Sequence, residues 1–191
     1  MKSYIGHHTC KNEGGYNYVL REAPFLSMWP EEGEDDMGRK TPFLGEGYYF
    51  WEYDLKQAKW WGENFYENAY YIFEGSINTN DTNFLDFIGD TQKIGEFMLV
   101  LRKLVAHNEI QIDFNIGEAI EYLKKSNELS PGLFPYLIIR AQDYKHLHSA
   151  TKLYFNELGH YTYVNTRHII CLLQKDDIIL SNRKIVFSSV I

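Results

Sequence analysis

Cysteine is scarce in this sequence, with only Cys10 and Cys171 among 191 residues. Two thiols so far apart, without the short spacings of zinc or redox motifs, exclude a cysteine-rich scaffold and a thiolate metal site. They read as reduced cytoplasmic thiols, although neighbouring strands could still bring them together. No basic excess is present: the net charge is −7, which weighs against a broad electrostatic grip on nucleic acid or anionic lipid. No apolar run approaches the length of a membrane span, and MKSYIGHH lacks the apolar core of a signal peptide. A cytoplasmic protein with no membrane partner is therefore expected. Also missing are an internal repeat, a Walker loop, a nucleophile elbow and a Rossmann fingerprint, since GEGYYF has no third glycine and no βαβ setting. His146 and His148 alternate like metal ligands but have no third ligand at suitable spacing, so no metal is expected.

Aromatic side chains are what the chain does have: 15 Tyr, 12 Phe and 4 Trp, an excess that favours a β-rich core or a stacking site. A hydrophobic share of 45% against 24% charged marks a folded chain, and its length fits a single domain over 1–191. Strands are expected around Tyr4 and Ile5, over GYYF, YYIFEGSI, RHIICLL and KIVFSSVI. Helices are expected after Gly14-Gly15, over LKQAKWWGENFYENA with Asp54 as N-cap, over QKIGEFMLVLRKLVAH, and over IGEAIEYLKKS. PYLIIRAQDY fits a buried strand or a helix. The acidic stretch from Glu31 to Asp36 reads as a solvated loop. Strands at both ends with helices between them predict an α+β fold with a mixed or split sheet.

Three short pieces carry chemistry. GHHT, residues 6–9, places His7 and Thr9 on one strand face and His8 on the other. GEGYYF, residues 45–50, combines a flexible turn with aromatic surface, and Gly45 and Gly47 permit close approach of a ligand. On the helix that follows, Leu55, Ala58 and Trp61 share a stripe, which makes Trp61 a core residue and leaves Trp60 free to face a cavity. TRHIICLL opens a strand with Arg167 and His168.

In this order the three pieces resemble the diphtheria-toxin-like branch of the ADP-ribosyltransferase superfamily, which includes poly(ADP-ribose) polymerases and small bacterial toxins. The resemblance rests on His7-His8-Thr9 and on Gly45-Glu46-Gly47-Tyr48-Tyr49-Phe50 with Gln57-Ala58 and Trp60. It implies an ADP-ribosyltransferase-like split mixed sheet with flanking helices, and NAD as substrate. It also implies a role for each matching residue. His7 bonds the adenosine-side ribose, and the backbone of His8 pairs the nicotinamide amide. Thr9 and Gly47 support the dinucleotide, Tyr49 and Trp60 sandwich the nicotinamide, and Gln57 reaches its amide. His168 stands where the family carries a glutamate, which makes His7, Tyr49 and His168 the implied catalytic set. A neutral imidazole brings no negative charge to that position; Glu157, on YFNELGH, is the other candidate acid.

The activity so implied is transfer of ADP-ribose to a protein or nucleic-acid acceptor, in an intracellular toxin or defence effector that has an antitoxin or chaperone as partner. The replaced glutamate keeps a non-catalytic NAD or ADP-ribose binding domain, or an NAD glycohydrolase, as alternatives. An aromatic module that stacks on sugars or a partner protein is a third. Arg140 reads either as a phosphate ligand or as half of a structural ion pair.

Overall fold

The computed structural model describes residues 2–30, 41–67, 69–143, 151–154, 161–164 and 166–189. The acidic stretch Glu31–Asp36, His146, His148 and Glu157 lie outside the described residues.

The fold is α+β, with four helices among the described residues packed on a seven-stranded mixed sheet. The strands are β1 (Lys2–Lys11), β2 (Tyr48–Glu52), β3 (Tyr70–Thr79), β4 (Phe84–Asp86), β5 (Ile138–Gln142), β8 (His168–Leu172) and β9 (Leu180–Ser188). Their order is β4-β5-β8-β2-β1-β3-β9, with only β4 and β5 parallel among them. Strands β6 (Thr151–Tyr154) and β7 (Tyr161–Val164) form a separate antiparallel pair that the sequence did not announce. PYLIIRAQDY resolves as strand β5, and its short apolar run is explained by burial between β4 and β8. β9 begins four residues before KIVFSSVI, at Leu180.

The helices are α1 (Gly15–Glu22), α2 (Leu55–Phe65), α3 (Thr91–Ala106) and α4 (Ile116–Leu129). Side-chain caps start three of them. Asp54 accepts from the Gln57 N–H at 2.8 Å, Asp90 from that of Lys93, and Asn115 forms a reciprocal capping box with Glu118.

Strand alternation and register sort the core into two faces. On one face α2 covers β1 and β3 through Ala58, Tyr70 and Ile72. On the same face, α3 and α4 cover β4, β5 and β8, burying Leu85, Ile139 and Cys171 against Phe97, Ile120 and Leu123. The opposite face packs Cys10, Phe50, Phe73 and Ile170 with Val19 of α1. Cys10 and Cys171 therefore sit in different clusters, both free and buried. Burial pushes each thiol up to about 12, so neither supplies a thiolate near neutrality.

One feature of the sheet creates the site. β1 and β2 pair only at Gly6–Glu52 and His7–Trp51. Beyond His7, β1 runs on with β3 as far as Lys11, while β2 runs on with β8 as far as Tyr48. The two strands part, and the gap opens between α2 and the start of α4.

Candidate functional site

The gap is the floor of a cleft of about 1520 Å³. Thr9, Gln57, Trp60 and Trp61 line one side, and Tyr49, Asn115, Arg167 and Ile169 line the other. Ten aromatic residues border it, from Tyr18 and Phe25 beside α1 to Phe65 and Tyr66 at the end of α2.

His8 holds the parted strands in place. Its Nδ1–H donates to the Tyr49 carbonyl at 2.8 Å, and its Nε2 accepts the Phe25 N–H at 3.1 Å. One nitrogen donates and the other accepts, which fixes the neutral tautomer. Burial, opposed by the Tyr49 carbonyl and aided by Lys175, pulls its pKa down to about 4. The imidazole thus bridges two strands whose backbones no longer pair.

Tyr49 explains the glycine turn. Its hydroxyl donates to the Gly45 carbonyl at 2.6 Å and accepts the Leu44 N–H at 2.8 Å. Burial raises the phenol pKa, so it stays protonated as that donor requires. Gly45 has φ +82, and a Cβ there would lie 2.5 Å from a Glu121 carboxylate oxygen. At Gly47 a Cβ would lie 2.4 Å from Cys171 Sγ and 2.8 Å from the Leu172 carbonyl. The space beside these glycines is filled by the protein itself, and Gly47 is not among the residues that line the cleft. The close approach expected of a ligand is made instead by α4 and β8.

On α2, Trp60 is 42% exposed, lines the cleft and meets Phe65 edge-on at 6.0 Å. Trp61 lines it as well, although its place on the apolar stripe also packs it on Trp51 and Phe65. Gln57 is only 3% exposed and lines the cleft, and its side-chain amide has no hydrogen-bond partner among the described residues. The amide is not sealed off: among the described residues only His7 Nδ1 is a buried side-chain polar atom without a partner. Thr9 lines the cleft while donating to the Ala58 carbonyl at 2.7 Å, which ties β1 to α2.

His7 and His168 lie outside the cleft lining. His7 shares the sheet face of Thr9, where its Nε2 bonds Glu74 at 3.1 Å; its Nδ1 is buried without a partner among the described residues. His168 projects from the other face. It lies 3.2 Å from Arg140 and 3.4 Å from Glu52 through Nδ1, and 3.1 Å from Thr166 through Nε2. Arg140 belongs to the same group, bidentate on Glu52 and bonded to Asp86, with the Tyr4 ring over its guanidinium at 5.3 Å. Of its two readings, the structural ion pair is the one observed. Burial works against the Glu52 carboxylate, but the bonds from His168 and Arg140 hold its pKa below the ordinary value.

The residues here that do reach the cleft are the neighbours of His168, namely Ile169 of β8 and Arg167 just before it. Asp143, whose N–H donates to the Arg167 carbonyl at 2.9 Å, lines it beside them. Sequence reading missed all three because alignment of an apolar run does not say which parity faces inward. Tyr49 pairs with Cys171, however, so Ile169 and Arg167 share its face.

The molecule is an α+β protein with an aromatic cleft set in a parted sheet. Comparison with family models, curated proteins and solved structures returns no match. No helix among the described residues is long and apolar enough to cross a membrane, and no metal-holding cluster occurs among them.

Proposed function

We propose that the cleft binds NAD and that the protein is an NAD-dependent ADP-ribosyltransferase acting on a macromolecular acceptor. The observation that carries this reading is the combination of stacking surface and one side-chain amide, Gln57, without a hydrogen bond among the described residues, at the parting of β1 and β2. A nicotinamidium ring is flat and cationic, so it stacks on Tyr49 and Trp60. The Gln57 amide answers the nicotinamide carboxamide, and past His7 the edge of β1 has no ladder partner on β2. Small-molecule sites usually occupy about 300–1,000 Å³. A cleft of about 1520 Å³ leaves room beside a dinucleotide for part of an acceptor.

In the reaction the bond between C1′ of the ribose and the nicotinamide nitrogen breaks, and its electron pair leaves with neutral nicotinamide. The acceptor's nucleophile bonds to C1′ and loses its proton to solvent. Tyr49, Trp60 and Gln57 hold the leaving ring, and the walls exclude water from the cationic ribose.

A non-catalytic NAD or ADP-ribose binding domain is the second reading, favoured by a specific observation. The cleft-facing positions beside His168 are Arg167, just before β8, and Ile169, neither of them an acid. Chromatographic assay of nicotinamide release from NAD, with and without cell lysate, separates the readings. Release that disappears in Tyr49→Ala and Gln57→Ala supports the transferase. Saturable NAD binding without release supports the binding domain. A thermal stability indifferent to NAD sinks both, because ligand at ~100 times its Kd should add ~2.7 kcal/mol.

A further inference from the structure

Arg167 is half-buried in the cleft wall, yet its guanidinium has no hydrogen bond or ion pair among the described residues. Its backbone is held, because its carbonyl accepts the Asp143 N–H at 2.9 Å, so only the side chain is uncommitted. Arg140 and Arg183, also part-buried, each have a carboxylate partner. A planar guanidinium that borders a cavity without such a partner is matched by an anion able to take two parallel N–H bonds. Arg167 lies four residues before Cys171, the partner of Tyr49, so about 13 Å of strand separates it from the stacking position. A ribose and an incoming side chain fit within that span. The described residues of the cleft that could take a proton are committed elsewhere. His8 bonds through both ring nitrogens, the exposed Glu13 pairs with Lys11 at 3.8 Å, and Asp143 has an interaction of its own. An alcohol, amine or thiol needs a base to take its proton as it attacks. A carboxylate attacks already ionised.

We infer that the acceptor is a carboxylate, the side chain of an aspartate or glutamate on a protein, and that Arg167 holds it. This rests on the transferase reading above and names its acceptor class. Two guanidinium N–H groups occupy one lone pair on each carboxylate oxygen and leave another free to bond C1′. As that bond forms, the bond from C1′ to the nicotinamide nitrogen breaks, and its electron pair leaves with the ring. The charges of carboxylate and nicotinamidium cancel, so the products are an ester and neutral nicotinamide, with no proton moved. The acceptor thereby brings the negative charge that Arg167 and Ile169 do not supply. The net charge of −7 works against a polyanion such as nucleic acid, whereas a single carboxylate needs only Arg167.

To test this, the full chain is incubated with cell lysate and NAD labelled in its adenylate phosphate. Protein and nucleic acid are then separated, and the labelled protein is treated with neutral hydroxylamine. Label should enter protein, and hydroxylamine should strip it, leaving hydroxamates on aspartate or glutamate side chains in peptide mass spectra. Arg167→Gln, its folding checked by melting curves, should lower the labelling by about tenfold or more. Its Kd for NAD, measured by calorimetry without acceptor, should stay within about twofold of the parent. Arg167→Lys, which keeps the charge and loses the fork, should fall between the two in labelling. Labelled protein that yields no hydroxamate overturns the carboxylate, and label in nucleic acid overturns the protein acceptor. An Arg167→Gln protein that labels like its parent, or loses NAD affinity by about tenfold, overturns the place given to Arg167. Nicotinamide released with neither fraction labelled makes water the acceptor, which ends this inference and leaves NAD binding in place. No release at all ends the transferase reading, and this inference with it.

Discussion

At His8 a single proton decides whether the parted strands stay bridged. The folded pKa of about 4 lies below the ordinary value near 6.5, so acid favours the unfolded chain, which can take up the proton. His8 therefore contributes its full stability above pH ~6.5 and loses it as pH falls towards ~4, a difference of at most about 3 kcal/mol. Urea titrations at pH 7 and pH 5 should show this loss, and His8→Gln should flatten it; an equal loss in the variant would clear His8 of the effect. Tyr49 offers a sharper separation of roles. Tyr49→Phe keeps the ring but strands the Leu44 N–H and the Gly45 carbonyl. It should cost about 1–3 kcal/mol in denaturant unfolding while retaining ligand stacking. A variant as stable as the parent would mean that the turn does not depend on that hydroxyl.

Among the elements, β8 shows what a sequence can and cannot say. Its existence was plain from RHIICLL, and so were α2 with its Asp54 cap and β3 with its apolar run. Its facing was not, because side chains alternate and a one-residue difference exchanges the two sides of a sheet. His168 thus falls among Arg140, Glu52 and Thr166, while Arg167 and Ile169 reach the cleft. Tyr49 and Trp60 could be singled out from the glycine turn and the helical stripe, whereas Gln57 came from the resemblance alone; all three line the cleft. Arg167 and Asp143 were not legible, because only strand pairing brings them together. His168→Gln should accordingly leave NAD affinity within about twofold of the parent, since it touches no cleft residue; a tenfold loss by calorimetry would place it in the site after all. Gly47→Ala is the element-level test of the turn. Its new methyl meets Cys171 Sγ and the Leu172 carbonyl at 2.4 and 2.8 Å. Backbone cannot yield as a flexible side chain does, so a loss of about 1–3 kcal/mol is expected in unfolding experiments.

Taken as a whole, the molecule gathers one charged cluster away from its cleft. Arg140, Glu52, Asp86 and His168 gather on the face away from α2 and α4, and they join β2, β4, β5 and β8 at one end of the sheet. Arg140→Met would leave two carboxylates without their counter-charge, at a cost of about 3–5 kcal/mol. Adding Glu52→Gln and Asp86→Asn should recover much of that, and a double-mutant cycle would measure how much. The parting of β1 and β2 has its own consequence. Only two rungs, with the Tyr53 N–H to Ile5 carbonyl bond beside them, join one half of the sheet to the other through the backbone. A nucleotide lodged between Gln57 and Arg167 would serve as the absent rungs of that ladder, making ligand and architecture one cooperative unit that slows amide exchange on both banks at once.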